Sequence, residues 1–179
     1  QSSLFTIARR RILWLLILVL ANGLTTKVIA MNDQILKEIV LLAAFIPLLI
    51  GTGGNVGAQS STVVIRGLST QKLKSLGAIK AVVKEAITGA ILGIFMMLVV
   101  FPFAWWQGEG PLIASAVGIS LISITTLAAT TGAILPLLFD RMKLDPALMS
   151  SPFITTVTDI AGVFIYLSTA KWLLSSSLV

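Results

Sequence analysis

With 179 residues, 56% hydrophobic content, 11% charged residues and a mean hydropathy of +1.01, the chain is too apolar for a soluble domain, where roughly a quarter of residues carry charge. The absence of Cys and His excludes a disulfide framework, thiolate and imidazole metal sites, and the commonest nucleophile–base pairs. The formal charge of +6 is first a topology signal in such a chain and gives no ground for a nucleic-acid partner. The expected class is an all-α integral membrane protein, one transmembrane domain over residues 1–179, and not an enzyme. Starting at Gln1 rather than Met, the chain reads as a fragment or a processed form.

Residues 1–11 form a cytoplasmic lead-in that ends in Arg9, Arg10 and Arg11, and the apolar run that follows predicts a first span over about 12–30. Such a run meets the roughly 20 residues that a helix needs to cross a hydrocarbon core. A signal peptide would share the basic start, the apolar run and a small-residue end at Ala21-Asn22-Gly23, but apolar character continues to Ile29. A polar turn, Met31 to Glu38, leads to a second span over about 39–65. Inside it lies Gly51-Thr-Gly-Gly-Asn-Val-Gly-Ala-Gln-Ser-Ser-Thr62, which sets four glycines and a run of amides and hydroxyls into apolar surroundings. Glycine allows departure from helical geometry, Pro47 loosens the ladder just before, and released backbone in a bilayer survives only against protein or a wet cavity. A broken second helix beside a permeation path or substrate site is therefore expected.

Arg66, Lys72, Lys74, Lys80 and Lys84 make the most basic segment, read as a cytoplasmic loop with an amphipathic approach to a third span over about 85–104. Trp105 and Trp106 follow at the expected headgroup level, and Gly89 with Gly93 permits close helix approach. A fourth span over about 112–139 carries Ser115, Ser120, Ser123, Thr125, Thr126, Thr130 and Thr131, hydroxyls that more often bond the carbonyl four residues back than touch a substrate. After the charged loop Asp140 to Pro146, a fifth span covers about 152–174. With five crossings and a cytoplasmic N-terminus, ten of the thirteen basic residues fall on one side, so the positive-inside rule puts the C-terminus outside the plasma (inner) membrane.

One acidic residue falls near mid-membrane, Asp159, where a carboxylate costs roughly 2.5–3.5 kcal/mol on insertion scales and is rarely kept without a role. Thr155 and Thr156 precede it by four and three residues and Gly162 follows by three, so all share its helix face. Oxygen ligands without thiolate or imidazole favour hard cations, and magnesium, which keeps most of its waters, asks for only one or two carboxylates, while manganese, sodium and protons stay open on chemistry alone. The glycine run is not a nucleotide loop. It lacks GxxxxGK[ST] and GxGxxG and sits between membrane segments.

The segment Pro47 to Gln59 with Arg66-Gly67-Leu68, and later Asp145-Pro146-Ala147 with Pro152 to Gly162, resembles the membrane domain of the MgtE family of magnesium transporters over nearly the whole chain. The resemblance implies five transmembrane helices per protomer and a homodimer in the lipid bilayer, with its pore on the two-fold axis between second and fifth helices. It implies Mg²⁺ as the transported and bound ion, Asp159 holding it hydrated, and backbone carbonyls near Thr155 and Gly162 assisting. Gly53, Gly54, Asn55, Gln59 and Thr156 would line the pore, and Asp145 would lie near a cytosolic ion-sensing interface. The family's cytosolic N domain and paired CBS domains, which sense Mg²⁺ and bind ATP, have no counterpart in these 179 residues. Two other functions fit the same residues: a proton- or sodium-coupled carrier that exports a divalent ion, and a non-transporting membrane subunit in which the glycine run is a packing device.

Overall fold

A computed structural model of the chain describes residues 4–38, 40–70 and 77–176. They form six α-helices: α1 (Leu4–Ala30), α2 (Asp33–Glu38), α3 (Val40–Ser69), α4 (Ala78–Ala104), α5 (Gly110–Arg141) and α6 (Pro146–Ser176). A π-helical turn, Trp105–Glu109, joins α4 to α5, whose first residue, Gly110, takes the left-handed φ of 74° that reverses the chain. Lys72 and Lys74 of the expected basic loop lie outside the described residues. The polar turn expected at 31–38 is largely the short α2, held by an ion pair between Lys37 and Asp33 at helical spacing.

Among the described residues four helices are long and apolar enough to cross a membrane: Val40–Ser69, Ala78–Gln107, Gly110–Arg141 and Ser150–Ser175. The expected first span lies within α1, of which Leu18–Ala30 is a shorter apolar stretch. Its Val28 and Ile29 pack on the core beside α6.

The glycine-rich break does not occur. Residues 51–62 are helical throughout, inside an uninterrupted α3. The reason lies in what the glycines face. A Cβ at Gly53 would sit 2.8 Å from Ile124 Cγ2 of α5; at Gly57 it would strike Ile154 Cγ2 of α6 and come within 3.2 Å of the Ala128 carbonyl oxygen. Across from it, a Cβ at Gly132 would fall on the Gly57 carbonyl oxygen. The glycines thus let helices touch backbone to backbone. Keeping each in a helix costs about 1 kcal/mol relative to Ala, less than the several kcal/mol of each backbone group left unpaired in lipid.

The centre of the bundle is α5, which packs against α3, α4 and α6 and is the most buried of the long helices. Gly89 and Gly93 of α4 serve this contact: a Cβ on Gly89 would lie 2.6 Å from the Thr125 carbonyl oxygen, and one on Gly93 2.5 Å from Ile122 Cα. The core divides along the membrane normal. Toward one end large side chains interlock, with Leu42, Phe45, Ile46 and Leu49 of α3 against Val117, Leu121 and Ile124 of α5 and Val163, Tyr166 and Leu167 of α6. Toward the basic end lies a smaller cluster, Val56 with Ala128 and Ala129, flanked by the contact glycines, with Val64, Phe139 and Ile154 buried nearby. Tyr166, fully buried, donates its hydroxyl to the Leu42 carbonyl at 3.1 Å and so ties α6 to α3. Such interhelical bonds contribute about 0.6 kcal/mol in a membrane.

Hydroxyls on α5 bond backward as expected: Thr126 Oγ1 donates to the Ile122 carbonyl at 2.7 Å, Thr130 to Thr126 at 2.7 Å and Ser123 to Ile119 at 3.1 Å. Packing, not conformational freedom, is thus what these glycines supply, and substitution should separate the two. Gly57→Ala is expected to lower stability by about 1–3 kcal/mol through overpacking. Gly51→Ala, whose Cβ would meet nothing within 4 Å, is expected to match or exceed the parent chain. Thermal unfolding of both variants in one detergent, followed by tryptophan fluorescence, measures the difference.

Candidate functional site

Asp159 owes its position to the way α6 buries itself. Ser150, Ile154, Thr158, Gly162, Tyr166 and Ala170 are all buried and recur every fourth residue. At 3.6 residues per turn, each step of four advances about 40° around the axis, so the buried stripe winds along the helix as an i±4n ridge. The neighbouring row, Ser151, Thr155, Asp159, Val163 and Leu167, therefore starts exposed and ends buried. Asp159 stands at the crossing point, half-buried, the last polar residue before the row enters the apolar core.

Its carboxylate has no hydrogen-bond or ion-pair partner among the described residues. It lies about 14 Å along the axis from Ser150, the start of the apolar stretch. Thr155, one turn earlier on the open side, donates Oγ1 to the Pro152 carbonyl at 2.9 Å and to that of Ser151 at 3.3 Å. Thr156, half-buried, donates to the Pro152 carbonyl at 2.9 Å. Pro152 lies inside the helix and has no N–H to bond four residues back.

Of the other expected site residues, Gly53 and Gly54 are brought to α6: a Cβ on Gly53 would lie 3.7 Å from Thr158 Cβ, and one on Gly54 3.8 Å from Thr155 Cγ2. Gly53 is buried and Gly54 half-buried. Asn55 and Gln59 are exposed on the flank of α3, about 100° and 140° around the helix from Gly54. Gly162 is not on the open face. It is buried against Ile124 of α5, whose side chain a Cβ there would meet at 3.7 Å. Asp145 is remote, about 21 Å along the axis from Asp159. It caps α6, its Oδ1 accepting the Ala147 amide at 2.9 Å, as an aspartate before a first-turn proline does.

Toward the basic end the α3–α6 seam opens into a groove of about 380 Å³, lined by Ala58, Ser61, Thr62 and Arg66 of α3 and by Ala147 and Ser151 of α6. Ser151 was not among the sequence candidates; Thr62 closes the glycine-rich stretch expected beside a permeation path, and Arg66 belongs to the expected basic loop. The signal was nevertheless present, since Ser151, Thr155 and Asp159 repeat at intervals of four. From the groove, whose Ser61, Thr62, Arg66 and Ser151 stand among the apolar Ala58, Ile65 and Ala147, the row Ser151, Thr155 and Asp159 carries polar groups along α6. Among the described residues no three His, Cys, Asp or Glu side chains gather into a chelating cluster. A lone carboxylate with hydroxyl and carbonyl oxygens suits an ion that keeps its water shell better than one that must be caged.

Residues 46–169 match the MgtE family, described as a divalent cation transporter. The magnesium transporter MgtE of Thermus thermophilus is 38% identical over 166 residues, covering 93% of this chain and 37% of that protein. The magnesium transporter MgtE of Enterococcus faecalis is 34% identical over 168 residues, 92% of this chain and 36% of the relative. That of Bacillus subtilis is 32% identical over 171 residues, 95% and 38%. The chain thus spans rather more than a third of the length of these relatives. The matched residues carry both the glycine seam of α3 and the Asp159 row of α6, and the chain belongs to the MgtE family of divalent cation transporters.

Proposed function

We propose that this chain forms a channel-like Mg²⁺ transporter of the plasma (inner) membrane. It works as a homodimer whose pore runs along the two-fold axis and is lined by α3 and α6. The observation that carries this reading is Asp159 itself, a carboxylate held part-way across an apolar helix, half-exposed and unpartnered among the described residues. An intramembrane carboxylate ordinarily faces a partner or a water-filled path. The polar row of one chain lacks a facing wall, and closed two-fold symmetry, the commonest oligomer, supplies a second copy of it. The curated relatives named as magnesium transporters support Mg²⁺ as the cargo.

In this mechanism two Asp159 carboxylates attract a divalent ion more strongly than a monovalent one and accept hydrogen bonds from its waters, while Thr155 and Thr156 continue the oxygen lining. Gly53 and Gly54 set the distance between the lining helices, and Asn55 and Gln59 extend the polar surface along α3. With Gly162 buried against Ile124, its part is to let α5 hold α6 rather than to face the ion. The groove at the basic end forms the cytoplasmic mouth. Asp145, exposed at the start of α6, is the acidic group we assign to ions or regulatory domains arriving on that side. α1 is the first of five crossings, with the N-terminus inside and the C-terminus outside.

Three measurements test this. The chain has no cysteine, so single cysteines at Ser69 and Ser175 are expected to react with impermeant reagents from opposite sides; reaction from one side overturns the topology. Light scattering is expected to give a protein mass twice the 19.0 kDa of one chain, and a monodisperse monomer that carries flux overturns the dimer. Asp159→Asn is expected to assemble with parental yield, because no hydrogen bond or ion pair of the described residues is broken. Yet it should lose at least about tenfold in Mg²⁺ flux into liposomes with no proton or sodium gradient, as two charges leave the pore. Parental flux in Asp159→Asn makes the carboxylate structural. Flux by the parent chain only under a gradient makes it a coupled carrier.

A further inference from the structure

We propose that the outer face of α4, at the basic end of the bundle, holds an anionic phospholipid, its two acyl chains seated in paired grooves and its phosphate between Arg141, Lys80 and Lys84. Exposed apolar side chains are ordinary on this face, since α4 touches little besides α5 and the π-helical turn and presents Ile91, Phe95, Leu98 and Phe103 to lipid. The basic end differs in shape and in charge. Between α4 and α5 lies a groove of about 330 Å³ walled by Ile79, Val83, Ile134, Leu137 and Leu138, with Arg141 at its end. On the other flank of Ile79 and Val83 lies a second, shallow groove of about 380 Å³ on the surface of α4 itself, with Ile87 along it and Lys80, Lys84 and Thr88 at its edge.

Ile79 and Val83 belong to both grooves. Four residues apart on one helix, they make a ridge that separates two apolar channels. A molecule with two hydrocarbon chains joined at one polar end straddles such a ridge; a single chain, a free phosphate or a peptide helix fills only part of it. The groove from Ile79 to Ile87 runs about 12 Å along the axis, enough for the upper part of an acyl chain.

Charge fixes the headgroup. Arg141, Lys80 and Lys84 are exposed, and the ion pair recorded among the described residues is that of Lys37 with Asp33, so all three cations are available. The nearby carboxylates do not neutralise them: Glu85 is buried on the side of α4 turned to α5, and Asp140 follows Phe139 on α5 without pairing to Arg141. Basic pockets between membrane helices at the cytoplasmic leaflet are the ordinary recognition chemistry for anionic headgroups.

The full chain, purified in detergent, is tested by native mass spectrometry in an equimolar mixture of phosphatidylglycerol and phosphatidylcholine of equal chain length. The parent is expected to retain phosphatidylglycerol at least about fivefold over phosphatidylcholine, and Lys80→Gln/Lys84→Gln/Arg141→Gln to bring that ratio near one. Ile134→Trp, which fills one groove and leaves the charges in place, is expected to reduce retention of both lipids. Lys27→Gln/Lys171→Gln, at the opposite end, is expected to change nothing. No preference in the parent, an equal loss from the opposite-end pair, or displacement of the lipid by millimolar inorganic phosphate overturns the proposal. So does a change in dimer fraction on Ile134→Trp, which would give the groove to a second copy of the chain.

Discussion

Backbone contact around α5 is the constraint on which this structure rests. Lipid is as apolar as leucine, so burying hydrocarbon gives helices no reason to associate in a bilayer, and small residues that admit close van der Waals approach take over. Gly57 and Gly132 meet almost carbonyl to Cα, and Gly89 and Gly93 bring α4 onto Thr125 and Ile122. The largest cluster of interlocked side chains lies toward the end of the bundle opposite the basic one, around Tyr166 and Leu121.

The polar groups of α3 and α6 sort by kind around this divided core. Toward the basic end the enclosed ones are hydroxyls, Ser60, Ser61, Ser150 and Thr158, while the amides of Asn55 and Gln59 and the Asp159 carboxylate lie toward the flank. Asp159 lies at the boundary because the i±4n stripe of α6 turns there from one half to the other. Its exposure is set by helix geometry and by the partners at Thr158 and Gly162, and needs no local distortion.

Much of this was legible in the sequence. The long apolar runs, the isolated aspartate and the threonines beside it could be read because membrane length and charge cost are strong, local signals. The glycines could not be read correctly. Gly51-Thr-Gly-Gly-Asn-Val-Gly57 is compatible with a broken helix or a tight seam, and the choice depends on Ile124, Ala128 and Ile154, which are far away in sequence. The burial of Gly162 against Ile124 was out of reach for a related reason. A spacing of three puts it near Asp159 on a helical wheel but does not say which side α5 occupies. Helix ends moved outward, α4 beginning at Ala78 rather than at Glu85, because the apolar pattern marks the lipid-crossing part and not the hydrogen-bonded whole. The groove with Ser151 and Arg66 needed two helices at once.

Threonine has one hydrogen to give and two lone pairs to offer. In Thr155 and Thr156 that hydrogen goes back into the helix, to the Pro152 carbonyl that both share. What these side chains turn outward is therefore electron density without a donor, next to a carboxylate that also only accepts. A cation's water shell points its hydrogens away from the ion and meets such a surface in register. Chloride, which requires donors, finds none from these three side chains. In the proposed pore, discrimination by sign of charge would therefore rest partly on the hydrogen bonding within α6, before any second residue of opposite charge is involved.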